Sequence, residues 1–376
     1  MPQTSNQRDP SFPIDAVYTW VDGSDPAWQA RKQQRLARLG LPPSSPSNKA
    51  SRFANHDELR YSLRALEQNL PWVSRIHILT DRQRPAWLAE DHPRIRIVDH
   101  RDFFRDPAHL PCFNSLAIEA NLRRVPGVAE HFIYFNDDML VNRPFTASDF
   151  FADDGRPRSF VFRRLDFTVT NILARIAGGA VRRFQQRSIE SWLRRKRDRR
   201  TPFSVALRHT QLVMLRRLDR AVPRFKTHHT PIALTRSVLD AIEGCYAETY
   251  TTCSSHPFRA ADDLYFPDLY ASHGIATGLT VPAHFTRADL FYFHLGRDNI
   301  RDLEKLRPGS HAFVNIDDAG SDSEDDLQSL QSTLARLYPD RAPYEVETIP
   351  RRHTPAPARS PIEPESLLAT PATRGA

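Results

Sequence analysis

Apolar positions along this chain follow two rhythms. Ile14 to Val21 (IDAVYTWV) is dense in β-branched and aromatic residues, as are the shorter runs Ile76 to Thr80, Ile95 to Val98 and Phe132 to Phe135, and each reads as a strand. The last three read as buried strands. Between them the spacing turns helical. Residues 59, 63, 66 and 70 are apolar within Asp57 to Leu70 (DELRYSLRALEQNL), and Asn114 to Val125 reads as another helix. A helix is also predicted from Pro26 to about Leu39, with Asp25 as its cap and Pro26 at its first position. The stretch LPPSSPSNK is a loop by composition. Strands alternating with helices predict an α/β fold, a mostly parallel sheet with helices on both faces. In such sheets ligands sit beyond the carboxyl ends of the strands. Asp22 and Asp25, Asp81, and Asn136-Asp137-Asp138 all come just after a predicted strand, which gathers them at one rim.

Residues 164–223 break the pattern. Arginine becomes dense, as in RRFQQRSIESWLRRKRDRR, and acids thin out. Phe184, Ser188, Trp192 and Leu193 fall near one helical face, so this stretch reads as an amphipathic basic insertion or lid. Globular sequence resumes at 224–348, where most of the remaining histidines lie, and Ser321 to Asp326 (SDSEDD) reads as an acidic loop. Residues 1–13 read as a disordered lead and 349–376, rich in Pro, Ala and Arg, as a disordered tail. Residues 14–163 form the first half of the globular part.

Composition narrows the class. The 376 residues are 40% hydrophobic and 26% charged, which fits a soluble globular protein. No uninterrupted apolar run is long enough for a membrane span, and the polar start MPQTSNQRDPSFPID carries no signal-peptide core. Three cysteines, Cys112, Cys245 and Cys253, show neither metal spacing nor an even disulfide set, so a reducing cytoplasm is expected. The net charge of +7 points to an anionic partner. No nucleic-acid-binding motif accompanies it, and an acidic rim repels phosphate unless a cation intervenes.

Adjacent carboxylates after a strand can hold Mg²⁺ or Mn²⁺, cap a helix or close a turn, or supply a general base. A second acidic cluster at the same rim, Asp22 to Asp25, and a third, Asp317-Asp318 after the apolar run Ala312 to Val314, favour a divalent ion bridging a diphosphate. His228-His229-Thr230-Pro231 and Arg259 are weaker signals, since lone histidines and arginines are more often structural. Residue chemistry alone reaches a metal-dependent enzyme on an α/β sheet with a phosphate-bearing substrate.

Longer stretches carry a resemblance. IDAVYTWVDGSDPAW resembles the first conserved region of the Stealth proteins. RFANHDELRYSLRALEQNLPWVSRIHILTDRQRPAWL, continuing through IRIVDHRDFF, LPCFNSLAIEANL and FIYFNDDM, resembles the second. HHTPIAL through HPFRAADDLYFPDLY resembles the third, and AFVNIDD with LARLYPDRAPYEVE resembles the fourth and the segment after it. The family includes bacterial capsular-polysaccharide phosphotransferases and the animal N-acetylglucosamine-1-phosphotransferase. The resemblance implies one catalytic domain with a Rossmann-like core. It also implies transfer of a sugar-1-phosphate from a UDP-sugar donor to a hydroxyl of a saccharide or polysaccharide acceptor, forming a phosphodiester and releasing UMP, in capsular or cell-surface polysaccharide synthesis.

By the same resemblance, Asp22, Gly23 and Asp25 line the nucleotide-sugar site, and Arg60, Asn114 and Asn136 complete the substrate-binding set. His229, Asp137, Asp138 and Arg259 are the catalytic set, and Asp138, Asp318 and Asp317 hold Mg²⁺ or Mn²⁺. Here the chain departs from the family: Cys-Leu-Asn-Asp is replaced by Asn315-Ile316-Asp317-Asp318, which puts a carboxylate where an amide is usual. The base is left between His229 and the Asp137/Asp138 pair. The Arg-rich insertion is expected to hold an acidic acceptor or to touch anionic lipid at the inner face of the cell membrane. The competing readings are a metal-dependent glycosyltransferase releasing UDP and a polysaccharide-binding protein without activity.

Overall fold

A computed structural model describes residues 12–42, 48–162, 172, 176, 178–196, 202–218, 227, 229–320 and 323–347. The predicted disordered tail, nearly all of the disordered lead, His228 and the rest of the Arg-rich stretch lie outside them.

The first strand, β1 (Ile14–Thr19), leads into α1 (Pro26–Arg38) through a turn in which Asp25 caps the helix and Pro26 opens it, as predicted. Helix α2 (Glu58–Asn69), strands β2 (Ile76–Thr80) and β3 (Ile95–Asp99), and the short α3 (Ser115–Glu119) follow. Strand β4 (His131–Asn136) is separated from β5 (Met139–Val141) only by Asp137 and Asp138. Then come α4 (Ala147–Phe150), β6 (Arg158–Phe162), α5 (Gly178–Lys196), α6 (Pro202–Arg217), β7 (Ile232–Thr235), α7 (Arg236–Cys245), α8 (Ala247–Ser254) and α9 (Phe266–Thr277). Strands β8 (Val281–Phe285) and β9 (Leu290–Leu295), α10 (Ile300–Glu304), β10 (Phe313–Asp318) and α11 (Glu324–Leu337) complete the described chain.

The main sheet has the order β3-β2-β1-β4-β7, parallel except for β7. Alternation sends successive side chains to opposite faces. Ala16, Tyr18, Ile76, Ile78, Ile133 and Phe135 pack on the face covered by α2, whereas Val17, Leu79, Phe132 and Tyr134 pack on the face covered by α3, α7 and α9. Each fully buried aliphatic or aromatic side chain there is worth about 1.5–3 kcal/mol. A one-residue slip of β4 would send the residues of each buried face into the core on the other, where their shapes do not fit, so side-chain packing fixes the register.

Two smaller sheets finish the fold. In one, β10 lies between β5, antiparallel, and β9, parallel. In the other, β6 pairs with β8. The chain therefore leaves the main sheet at the end of β4 and joins the second sheet at β5, and the change of sheet happens at Asp137-Asp138. The third acidic pair, Asp317-Asp318, ends β10 of that second sheet.

Several local expectations are corrected. The helix predicted over Asn114 to Val125 stops at Glu119. Asn121 turns its side chain onto the backbone of Ala117, and a 3₁₀ turn at Leu122–Arg124 carries the chain to Pro126. Strand β3 is half-exposed rather than buried, because it is the edge of the sheet, and of its apolar residues only Val98 is fully covered. In α5 the buried face carries Gln185 and Ile189, with Leu193 half-buried, and Phe184 stands 73% exposed. Phe184 is one residue from Gln185, about 100° around the helix, so packing Ile189 against α6 turns it outward.

Candidate active site

Beyond the carboxyl ends of β1, β2, β4 and β10 lies a cleft with two chemically opposite walls. One wall is acidic, holding Glu58, Asp137, Asp138, Asp317 and Asp318. The other presents Arg52 and Arg259, with Ser115 beside them.

The acidic wall is built by the change of sheet. Because β4 and β5 pair with different neighbours, the two residues between them are left in a tight turn facing the cleft. The turn is held from β10, where the backbone N–H of Ile316 and Nδ2 of buried Asn315 both donate to the Asp138 carbonyl at 3.3 Å. Burial, then the charges of Asp138 and Glu58, push the Asp137 carboxyl well above the usual carboxylate range. Burial and Asp138 likewise raise Asp317. Glu58 accepts the His56 N–H at 2.7 Å, and burial drives its carboxyl up to about 7 against the attraction of His56. Histidines flank the wall: His56 Nε2 lies 3.2 Å from Asp318 Oδ2, and His294 Nδ1 lies 3.2 Å from Asp317 Oδ2.

His229 sits where the walls meet. Its Nε2 is 2.9 Å from Asn136 Nδ2 and 3.2 Å from Asp138 Oδ1. One nitrogen cannot serve both neighbours in the same way. Neutral, it accepts from the Asn136 amide; protonated, it donates to Asp138. Burial would lower the His229 pKa, but Asp138, then Glu119 and Asp317, bring it above its ordinary value.

Asn136 is itself oriented. Its Oδ1 accepts from Thr19 Oγ1 at 3.0 Å and from the Tyr134 hydroxyl at 2.9 Å, which aims its NH₂ at His229. Tyr134 also lies 3.3 Å from Glu119 Oε1. Burial pushes the Glu119 carboxyl up to about 7. A protonated Glu119 can donate to the phenol, leaving the phenol's own proton for Asn136.

The cationic wall rests on an aromatic cluster. Trp28 of α1 packs on Phe53 and Phe113, with ring centroids 5.1 and 5.2 Å away, and Phe113 stacks on Phe258 at 5.4 Å. Phe53 follows Arg52 and Phe258 precedes Arg259, so the cluster fixes both arginines. Arg259 donates to Ser115 Oγ at 3.0 Å. Burial, then the nearby charge of Arg259, hold the Arg52 guanidinium below its ordinary value. Behind Arg259, fully buried Asp263 accepts from Ala260 N and Asn114 Nδ2 and lies 2.8 Å from His256 Nδ1.

The cleft therefore brings together Asn136, Asp137, Asp138, His229, Arg259, Asp317 and Asp318 of the sequence-derived set. It does not bring in the rest. Asp22 Oδ1 accepts from Ser24 N and Oγ, and Asp25 caps α1. Gly23 donates to the Phe53 carbonyl at 2.9 Å, and a Cβ there would stand 2.3 Å from that oxygen, so its role is to let the Arg52 loop approach. Arg60 is paired to Glu345 at 2.7 Å. Asn114 is fully buried, capping α3 and holding Asp263. None of these five lines the cleft.

Arg52, Glu58, Glu119 and Tyr134 had no signal of their own in the sequence, because their roles depend on residues distant along the chain.

The acidic wall offers only oxygen donors, as Mg²⁺ and Mn²⁺ prefer, and its mutual repulsion calls for a cation. Among the described residues, no three His, Cys, Asp or Glu side chains form a complete metal-binding group. The wall fits an ion held by one or two carboxylates and shared with substrate phosphate oxygens, the usual arrangement for Mg²⁺.

Comparison with known proteins agrees with the positions of the first three motif regions. Three family models match: Stealth protein CR1, conserved region 1, over residues 12–40; CR2, conserved region 2, over 52–159; and CR3, conserved region 3, over 228–276. An exopolysaccharide phosphotransferase of Streptomyces coelicolor is 40% identical over 345 residues, covering 90% of this chain and 53% of that protein. The exopolysaccharide phosphotransferase CpsY of Mycobacterium tuberculosis is 32% identical over 339 residues, covering 89% of this chain and 58% of that protein. The chain thus spans about half the length of these relatives. The crystal structure of galactosyltransferase LgtC with donor and acceptor sugar analogs overlaps at a TM-score of 0.38 and 11% identity, over 86% of this chain and 96% of that one, and so distant a likeness carries no weight.

Proposed function

This chain belongs to the Stealth family, and on that premise we propose that it transfers a sugar-1-phosphate from a UDP-sugar to a hydroxyl of a saccharide acceptor in polysaccharide synthesis. The observation that carries this reading is the two-walled cleft. A diphosphate needs cations on both sides. Arg52 and Arg259 supply one side directly, with a planar fork that matches phosphate oxygens. The opposite wall would supply the other through Mg²⁺ or Mn²⁺ held by Asp138 with Asp317 or Asp318; such an ion, when bound, offsets charge on the departing phosphate.

The acceptor oxygen bonds to the β-phosphorus, and the bond from that phosphorus to the bridging oxygen breaks. UMP leaves with the bridging oxygen and the electron pair. The acceptor proton goes to Nε2 of His229, and Asp138, 3.2 Å away, receives the N–H that results. Asn136 keeps the neutral ring in place beforehand. Ser115 steers Arg259. Trp20, Leu79 and Phe113 add apolar surface to the cleft lining, which suits the base of the nucleotide.

The experiment is nucleotide release. Purified protein is incubated with Mg²⁺, a panel of UDP-sugars and oligosaccharide acceptors, and UMP is resolved from UDP. Acceptor-dependent UMP that disappears in Asp138→Ala is the expected result. Acceptor-dependent UDP would replace this reading with a glycosyltransferase.

A further inference from the structure

We propose that the outward face of α5 docks on an anionic lipid surface, a function separate from the chemistry of the cleft. The inward face of α5 is accounted for: Ile189 is buried in the main core cluster with Ala206, Leu212, Met214 and Leu215 of α6. Helix α6 is tied to the body, with Thr210 Oγ1 accepting the Tyr265 N–H at 2.7 Å.

At about 100° per residue, Phe184 and the exposed Arg183, Arg187, Arg194 and Arg195 fall on the side of α5 opposite Ile189. Phe184 is 73% exposed. Just ahead of α5, Ile172 and Ile176 are 52% and 78% exposed. These are three of the seven large apolar side chains that stand exposed among the described residues, and they lie in or just ahead of the helix that carries the exposed Arg183, Arg187, Arg194 and Arg195.

The sole acid of α5, Glu190, is bound by Arg216 at 3.1 Å, against six basic residues on the same helix.

This combination selects the occupant. A soluble polyanion would use the arginines and leave Phe184 and Ile176 in water. A bilayer uses both: the apolar groups enter the boundary beneath the headgroups, and the arginines meet lipid phosphates while their stems cover apolar surface. No helix among the described residues is long and apolar enough to cross a membrane, so the contact is at the surface. Each arginine near an anionic leaflet is worth about 1 kcal/mol, close to fivefold in affinity.

The test is co-sedimentation of the full chain with vesicles of phosphatidylcholine alone or enriched in phosphatidylglycerol. Enriched vesicles should bind at least about tenfold more tightly, and added salt should weaken that binding. Phe184→Glu should reduce it about tenfold with the melting curve unchanged, and Arg187→Gln about fivefold. Phe184→Ser serves if the glutamate disturbs folding. Failure to bind enriched vesicles would overturn the proposal, as would binding indifferent to both Phe184 variants. Equal affinity for soluble dextran sulfate would make the face a general polyanion site. Self-association abolished by Phe184→Glu would make it a protein interface. None of these readouts requires turnover, so the outcome is independent of whether UMP is released.

Discussion

Two acidic turns sit side by side at the ends of paired strands. Asp22 to Asp25 follows β1 and Asp137-Asp138 follows β4, and the strands are in register, with Thr19 opposite Asn136. In sequence the two clusters look equivalent. In the structure they are opposites. The first spends its oxygens on its own neighbourhood: Asp22 on Ser24, Asp25 on the first turn of α1 and on Gln83. Gln83 closes the arrangement by donating to the Asp22 carbonyl as well. The second turn packs against like charges, and its Asp137 is raised where Asp25 is lowered. A carboxylate whose lone pairs are filled from within the protein supports the fold. One held against others of the same charge stores a demand that a cation or a proton must meet.

The largest effect that can break this contrast is on turnover. Asp138→Ala should cost at least about 10³-fold in rate of UMP release, the scale of losing a group that stabilises transition-state charge, and leave the circular dichroism spectrum native. Mg²⁺ with UDP should raise the melting temperature of the parent chain and not that of the variant, by binding linkage. Equal activity in Asp138→Ala would remove the second turn from the chemistry.

Gly23→Ala comes next. The added Cβ would stand 2.3 Å from a backbone oxygen, so the Phe53 loop must move. The expected cost is about 1–3 kcal/mol, with weakened nucleotide binding as Arg52 shifts. Unchanged UDP affinity by calorimetry would show that this loop does not set the cationic wall.

Much of this was legible in the sequence, and what was missed has a common cause. Strand runs, the Asp25-Pro26 helix start and the Asn136-Asp137-Asp138 strand end are local signals, and the structure places each where the pattern says. The change of sheet between β4 and β5 is not local. It depends on β10, whose Phe313 pairs with Val141 far away in the chain. Glu58 lies at the start of a predicted helix and Arg52 outside any predicted element, and only folding brings them against Asp138 and Arg259. Tyr134 falls in a predicted strand and Glu119 in a predicted helix, yet they meet to orient Asn136. Asn114 and Arg60 were carried to the site by resemblance, and in the structure one caps α3 and the other pairs with Glu345.

The two turns also carry opposite pH signatures. Asp137, Asp317 and Glu58 have raised carboxyl pKa values, so the native state holds protons that the unfolded chain has released. Their contribution to stability falls as pH rises above the ordinary carboxylate value, and for Glu58 it goes on falling until about pH 7. His229, raised above 6.5, acts in the same direction: its stabilisation is complete below 6.5 and is lost as pH climbs through the folded value. Asp137→Asn should therefore raise the melting temperature near neutral pH and flatten its decline across the range above the ordinary carboxylate value of 3.8. A lower melting temperature across that range would mean that the Asp137 charge is compensated within the fold.

The smallest effect is the most discriminating. Asp25 is lowered because the backbone N–H groups of Ala27 and Trp28 and the Gln83 amide outweigh its burial. Its stabilisation is present above its ordinary value of 3.8 and is lost as pH falls through the lower folded value. Asp25→Ala removes the cap and should cost about 1 kcal/mol, while Asp25→Asn keeps an oxygen for the helix N–H groups and should cost less. The alanine variant should unfold earlier in denaturant at pH 7, and this deficit should shrink toward pH 3, while UMP release at 25 °C stays within about twofold of the parent, since a stability loss of that size leaves the native state dominant. Should Asp25→Ala abolish turnover in a protein that still melts cooperatively, the first turn would have to reach the donor, and the two acidic turns would share one function after all.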